Sequence, residues 1–574
     1  MYMKSLLLHD FIEFVQVRKN MEQTNSFIAK IEESIKKNWN KDALTDYKGL
    51  TLQFKDVARK IAKCHIVLKG CGINKGDKVA ICGRNSAHWA TIFLSIETYG
   101  AVVVPILHEF KADNIHNIVN HSNAKLLFVE SMVWENLNEE DMPQLEGVIL
   151  INDFSILISR NKTLTDVLNH LNEMFGKAFP RNFRKEHVKY ERENAESLAI
   201  INYTSGTTGY SKGVMLPYRS ICSNITGCEK LIPIKAGDNI VSMLPMGHVF
   251  GMTYDFLYGF TAGAHIYFLT RMPSPKVIAQ FFPEIRPQII CSVPLIIEKI
   301  IKKEILPKLD NKFEKFLLHI PVINDKLKAC ARQEAMDAFG GNFDEILIGG
   351  APFNPEVEAF LHMIDFPYTI VYGMTETGPT ITTERWDTLK LKSCGKKALN
   401  MEVKILSEKP ETIPGELICK GANVMLGYYK NEEATAQIID KDGWLHTGDM
   451  GIIDNDGNIT IKGRSKNLLL TSSGQNIYPE EIEARLNNMP YVSESLIVMQ
   501  KSRLVALIYP DFDDAFAHNM NNDDIYKAIE TNRGVLNNEL PAFSQIAKIK
   551  IFPEEFEKTA KKSIKRFLYQ EANG

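Results

Sequence analysis

Tyr203-Thr204-Ser205-Gly206-Thr207-Thr208-Gly209-Tyr210-Ser211-Lys212-Gly213 follows directly on the apolar run Leu198-Ala199-Ile200-Ile201. A β-branched apolar run that opens into glycines, hydroxyls and a lysine reads as a buried strand feeding an anion-binding loop. The glycines let backbone N–H groups approach a phosphate, while the hydroxyls and Lys212 add donors and charge. Walker A spacing is excluded. Counted from Gly206, the second Walker glycine falls on Ser211, and Gly213 rather than Ser or Thr follows Lys212. A helical pattern resumes near Pro217, so the expected order is strand, loop, helix.

Similar apolar runs recur at 79–81, 102–104, 126–129, 148–151, 240–241, 265–268, 289–290, 346–348 and 370–372, with helix-length segments between many of them. That alternation predicts βαβ units and largely parallel sheets with buried strands. Beyond residue 398 the strands shorten between turns such as Ile413-Pro414-Gly415 and Asn455-Asp456-Gly457, which predicts a small β-rich subdomain. After Gly463-Arg464-Ser465-Lys466-Asn467 a second α/β pattern begins, its first helix opened by Pro479-Glu480-Glu481-Ile482-Glu483. The fold class expected is α/β. Stacked, mainly parallel sheets with helices and the β-rich subdomain make a large N-terminal domain, residues 1–466, and a small α+β C-terminal domain takes residues 467–574.

Composition narrows the function. Lys and Arg number 67 against 70 Asp and Glu, a formal charge of −3, so no global footprint for nucleic acid exists and a polyanion must be held locally. The nine cysteines form no C-x-x-C pair, which argues against a zinc ribbon or disulfide framework and for a reducing cytoplasm. Leu6-Leu7-Leu8 follows Lys4, but His9, Asp10 and Glu13 break the run before it becomes a secretory h-region. No stretch reaches ~18 uninterrupted apolar residues, so no transmembrane helix is expected. Met21 is a candidate alternative start, which leaves residues 1–20 as an appendage or part of the mature chain. A lysine-rich helical stretch over 302–338 is either a solvated insertion or a basic face for anionic lipid at a membrane surface.

Further segments carry chemistry. Tyr372-Gly373-Met374-Thr375-Glu376-Thr377 follows the strand-like Ile370-Val371 and offers an aromatic face, a hydroxyl and a carboxylate suited to Mg2+. Trp444-Leu445-His446-Thr447-Gly448-Asp449 ends on a carboxylate able to accept from two vicinal hydroxyls. Gly349-Gly350-Ala351-Pro352 allows close backbone approach. Leu244-Pro245-Met246-Gly247-His248-Val249-Phe250-Gly251 places a lone imidazole, structural or functional, in an apolar setting.

With the first loop, these segments resemble, in order, the signatures of the adenylate-forming superfamily: acyl-CoA synthetases, nonribosomal peptide adenylation domains and luciferases. One departure is Ser211, where the family pattern carries Pro before the lysine. The resemblance implies that Thr204, Ser205, Gly206, Thr207, Thr208, Gly209 and Lys212 hold the phosphates of ATP. It places Gly350 and Ala351 beside the adenine and the rear of an acyl pocket, Tyr372 and Gly373 at the adenine, and Thr375 at the α-phosphate. Glu376 and Thr204 become the Mg2+ positions, Asp449 and Arg464 the ribose contacts, and His248 the ring near the substrate carboxylate. Gly474, in Ser472-Ser473-Gly474-Gln475-Asn476, matches the loop that approaches the pantetheine arm of CoA. The C-terminal domain is implied to be mobile, rotating about Asn467 between two half-reactions.

The reaction so implied joins a carboxylate to the α-phosphate of MgATP and passes the acyl group to a thiol. The 302–338 stretch, the 349–360 context and Gly427-Tyr428-Tyr429-Lys430 look most like long-chain fatty acid–CoA ligases, which makes a fatty acid, ATP and CoA the expected partners. Two other readings stay open: an acyl-AMP ligase loading a carrier protein, and a non-catalytic nucleotide- or acyl-binding homologue. The second is favoured by one further departure. Where the family carries a C-terminal lysine between Thr559 and Arg566, this chain has Ser563, and serine supplies no charge. Lys562 is the first candidate to substitute, Lys561 the second and Lys565 the third. Lys562→Ala should therefore slow acyl-AMP formation far more than thioester formation from supplied acyl-AMP. A larger loss in Lys561→Ala shifts the register by one, and a loss under about tenfold in both variants removes the role from this segment.

Overall fold

The computed structural model describes residues 26–204, 211–270, 275–309, 325–470, 475–501, 503–558 and 564–570. Leu198–Thr204 is a strand, as its apolar run predicts, and it belongs to an eight-stranded sheet. Across that sheet the order is Gly427–Tyr428, Lys212–Pro217, Leu198–Thr204, Val102–Ile106, Lys78–Cys82, Ala124–Val129, Gly147–Leu150 and Ile156–Ser159. Pairing is parallel from Leu198–Thr204 through to Gly147–Leu150 and antiparallel at both edges. One expectation is corrected here. The signature loop does not lead straight into a helix: it closes an antiparallel hairpin, and the helix Tyr218–Leu231 begins only after the second strand. Val214 and Leu216 turn inward in that strand while Met215 is only half-buried. This alternation suits a strand, but it is too short to stand out beside glycines and a proline.

A second sheet of nine strands runs Lys396–Lys397, Thr380–Thr383, Tyr368–Gly373, Glu345–Gly349, Ile289–Ser292, Asn239–Ser242, His265–Phe268, Asp42–Asp46 and Thr51–Gln53. It too is parallel at the centre and antiparallel at the edges. The helix Ala87–Tyr99 lies between the two sheets, with nearly every residue buried. Its hydroxyls Thr91, Ser95 and Thr98 bond to carbonyls of the same helix, which lets a mostly apolar helix be covered on all sides. Trp89 and Phe93 stack with ring centroids 5.5 Å apart, and both meet Phe256 edge-on. Phe256 belongs to the π-helix Gly251–Tyr258, whose eight residues are all buried in the same layer.

The outer faces are covered separately. Ala112–Ser122 packs on the first sheet, and Pro275–Ile285, Asp325–Ala338 and Pro355–Met363 on the second. In the lysine-rich stretch, the described residues Ile305, Ala331 and Ala335 are fully buried in that second outer core. Met401–Leu406, Gly415–Gly421, Leu445–Ile453 and Ile459–Arg464 form a four-stranded antiparallel sheet with its own core. Toward the C-terminus, Val492–Gln500, Arg503–Pro510 and Ile546–Ile551 form a three-stranded sheet packed against Pro479–Leu486 and Asn522–Glu539. Arg566 fastens the chain end to it, donating to Glu483 Oε2 at 2.6 Å and to the Ile497 carbonyl at 2.9 Å.

Asp255, in the π-helix, is fully buried and accepts from the N–H groups of Met243 and Leu244 at 3.3 and 3.1 Å. Burial pushes its carboxyl up to about 8, against the lowering effect of hydrogen bonds from Cys291, Leu244 and Met243. A carboxyl raised in the folded state holds an extra proton there, so its contribution to stability is full near pH 4 and declines as the pH rises through about 8. Asp255→Asn removes that titration. The melting temperature of the variant should fall less between about pH 5 and about pH 8 than that of the parent, and an equal fall would remove Asp255 as the cause.

Candidate active site

The hairpin register places Thr204 directly opposite Lys212, so the two flank the mouth of the signature loop. Gly427–Tyr428 adds a strand beside Lys212–Pro217, with Tyr428 paired to Val214. From there the Tyr428 ring lies under the Lys212 ammonium, 4.8 Å from Nζ to the centroid. Its hydroxyl donates to Glu376 Oε1 at 2.7 Å. Glu376 stands in the short turn Thr375–Thr377 after the strand Tyr368–Gly373, and its carbonyl accepts from the Met425 N–H at 2.9 Å. One tyrosine thus touches both the lysine of the loop and the carboxylate of the second signature. Burial and the Glu376 carboxylate push the Tyr428 phenol well above its usual range. Thr375 is itself buried beside them.

A second group is built on the other side of the same strand end. Tyr372 Oη donates to Asp449 Oδ2 at 2.7 Å, and Arg464 Nε lies 3.1 Å from Asp449 Oδ1. Asp449 and Arg464 are cross-strand neighbours in the four-stranded sheet, so pairing alone fixes this ion pair. The carboxylate is 5% exposed. Burial holds its pKa up, opposed by Arg464 and the Tyr372 hydroxyl. Lys466 belongs to the same field: burial and Arg464 hold its ammonium below the usual range, Asp449 opposes, and Lys212 lowers it further. Arg464 and Lys466 therefore set positive charge against one buried carboxylate, with Glu480 opposing and Lys212 close enough to act on Lys466. Gly373 has to be glycine, because a Cβ there would meet the Pro379 carbonyl oxygen at 1.9 Å.

His248 closes a turn that grips the first sheet. Asn202, two residues before Thr204, donates to the Gly247 carbonyl at 2.9 Å. Asn85 donates to the Leu244 carbonyl at 2.7 Å and accepts from the Met246 N–H at 2.9 Å. The ring of His248 accepts from the Phe250 N–H at 3.3 Å. Phe250 in turn lies against Gly349, where a Cβ would meet its Cζ at 3.1 Å. Gly350 and Ala351 are exposed just beyond the strand Glu345–Gly349, Gly350 with a φ of +89°. Among the described positions, Lys212 and Glu376 are joined through Tyr428, and Tyr372, Asp449 and Arg464 through one carboxylate. Ser205, Gly206, Thr207, Thr208, Gly209, Gly474, Lys561 and Lys562 lie outside the described residues. Lys565 is engaged with Glu557 at 3.1 Å.

Sequence reasoning gave no role to Tyr428, Asn202 or Lys466. Tyr428 is 52 residues from Glu376 in the chain, and nothing local marks the contact. Asn202 did carry a signal, as the single amide in the apolar strand Leu-Ala-Ile-Ile-Asn-Tyr-Thr. The donor set suits a hard cation at Glu376: it is a nearly buried carboxylate (8% exposed) beside a hydroxyl-bearing strand end.

Residues 31–429 match the AMP-binding enzyme family, and residues 466–572 match the AMP-binding enzyme C-terminal domain. The chain belongs to the AMP-binding enzymes. Among curated relatives, rat long-chain-fatty-acid–CoA ligase ACSBG2 is 27% identical over 79% of this chain and 71% of its own length. Mycobacterium bovis FadD15, named a long-chain-fatty-acid–CoA ligase, is 25% identical over 80% and 77%, and Vanilla planifolia 4-coumarate–CoA ligase is 28% identical over 80% and 79%. Among solved structures, the anthranilate CoA ligase AuaEII superposes with a TM-score of 0.76 at 18% identity, covering 95% of this chain and 96% of that one. At that identity the likeness concerns the fold: the AMP-binding enzyme shares its two-sheet body and smaller C-terminal unit.

Tyr428→Phe tests the shared tyrosine. The ring stays under Lys212, but Glu376 Oε1 loses its donor while remaining buried, at a cost of about 1–3 kcal/mol. Denaturant midpoints of this variant, Glu376→Gln and the double variant should show coupling. Simple additivity would mean that the hydroxyl does not act through Glu376.

Proposed function

We propose that this AMP-binding enzyme is an acid–thiol ligase that activates a long-chain fatty acid as its acyl-adenylate and transfers it to CoA. The observation that carries the reading is the convergence of two groups on neighbouring strand ends: Lys212–Tyr428–Glu376 on one side and Tyr372–Asp449–Arg464 on the other. The first suits a polyphosphate with its metal, the second a ribose with vicinal hydroxyls.

In this reading a fatty carboxylate oxygen attacks the α-phosphorus of ATP and pyrophosphate leaves. The CoA sulfur, having lost its proton, then attacks the acyl carbon, and AMP departs. The first step brings two anions together, and Lys212, Arg464 and Lys466 offset that repulsion from fixed positions. Glu376 would hold Mg2+, with Thr204 close to the same phosphates; a bound Mg2+ supplies charge that draws electron density from the phosphoryl oxygens. Asp449 accepts from the ribose hydroxyls while Tyr372 fixes its orientation. Asn202 ties the His248 turn to the strand that ends at Thr204, which keeps acid and phosphate in register. Asn467 is the proposed pivot of a mobile unit from residue 467 onward. Its side chain donates to Glu480 Oε1 at 2.6 Å, a contact that rotation would exchange.

The long-chain assignment is supported by the names of several relatives at 25–27% identity, among which an aryl-acid ligase at 28% also stands. AMP release with palmitate, ATP and CoA, run beside 4-coumarate and beside a phosphopantetheinyl carrier protein, discriminates these substrates. Faster turnover of 4-coumarate overturns the fatty acid, and preference for the carrier overturns CoA. Glu376→Gln should slow palmitate-dependent pyrophosphate exchange by roughly 30- to 1000-fold, the equivalent of about 2–4 kcal/mol. Near-normal exchange would remove Glu376 from the metal site.

A further inference from the structure

Ahead of the strand Leu198–Thr204, residues 171–189 form an excursion that rests on the helix Phe54–Gly70. The helix Leu171–Ala178 repeats apolar residues at Leu171, Met174, Phe175 and Ala178, the spacing of a single helix face. No residue of this helix is buried. Met174 is 36% exposed and Ala178 is exposed. The chain continues the apolar surface beyond the helix. Phe175, Phe179 and Phe183 hold ring centroids 4.9, 5.7 and 4.8 Å apart pairwise, and Trp39 joins 6.1 Å from Phe183. All three phenylalanines are only half-buried, with Phe183 and Leu171 also packed against the main core and the His187 ring against Phe179 and Phe183.

The segment that carries this aromatic cluster is basic. Between residues 171 and 189 stand Lys177, Arg181, Arg184, Lys185 and Lys189, against Glu173 and Glu186 alone. Lys63, from the helix beneath, lies 5.4 Å over the Phe175 ring. Half-exposed aromatic and sulfur side chains in a segment rich in lysines and arginines match the chemistry of a bilayer interface, where rings enter the headgroup region and cations meet lipid phosphates. A second copy of the chain fits poorly, because two such faces would oppose like charges.

We propose that residues 171–189 dock this protein on the surface of an anionic lipid bilayer. Co-sedimentation of the full chain with phosphatidylcholine vesicles, with and without about 30 mol% phosphatidylglycerol, reads the interaction directly and needs no catalytic turnover. Binding should require the anionic lipid and weaken as salt is raised. Arg181→Glu/Lys185→Glu/Lys189→Glu should lower the partition coefficient by roughly tenfold or more. Met174→Ser/Phe179→Ser should lower it too while leaving the salt dependence in place. Unchanged melting temperatures establish that both variants fold. Absence of binding, equal binding to vesicles of phosphatidylcholine alone, or retained binding in both variants overturns the proposal. So does a dimer in sedimentation velocity that the charge reversal abolishes, since the face would then belong to a second copy.

Discussion

The helix Ala87–Tyr99, rich in large apolar side chains and with Thr91, Ser95 and Thr98 bonded back to its own carbonyls, is enclosed by two sheets. That enclosure sets much of the geometry of the large domain. Trp89, Phe93 and Phe256 fill the space between the sheets, and the π-helix Gly251–Tyr258 shares the layer. Packing at interior density leaves little freedom for one sheet to slide on the other. The ends of Leu198–Thr204 and Tyr368–Gly373, which belong to different sheets, are therefore held at a fixed separation.

On that frame, two tyrosine hydroxyls organise the candidate site. Tyr428 ties the first sheet to Glu376 at the edge of the second, and Tyr372 ties the second to Asp449 in the small antiparallel sheet. At the site, two hydrogen bonds of 2.7 Å thus link the two large sheets and the small antiparallel one, each ending on a nearly buried carboxylate. Hydrogen bonds to a charged acceptor in such surroundings are strong, and a missing partner is costly. Arg464 and Lys466 near Asp449 add a local positive field to a chain whose formal charge is only −3.

Outside this centre, the surface has its own logic. The lysine-rich stretch at 302–338 looked on sequence like a candidate for lipid contact, yet its described residues Ile305, Ala331 and Ala335 are buried in the core of the second sheet. The amphipathic face without a buried residue is Leu171–Ala178, in a segment whose lysines are fewer but whose rings are more exposed. Charge density alone pointed to the first segment; packing shows how much of each apolar face is left half-exposed.

The α/β class and the strand positions could be read from the sequence because short apolar runs between helix-length segments leave one economical arrangement, buried parallel strands. The signature segments stood out for a related reason: glycines, hydroxyls and charges at strand ends have few structural uses. The hairpin at Lys212–Pro217 was not legible, since six residues with a glycine and a proline carry too weak an alternation. Nor was Tyr428, whose contact with Glu376 spans 52 residues of chain. The sequence by itself determined the kinds of element and the chemical groups at their ends, because these depend on neighbours along the chain. The tertiary structure alone decided which groups meet, because cross-strand register and burial join residues that no local pattern connects.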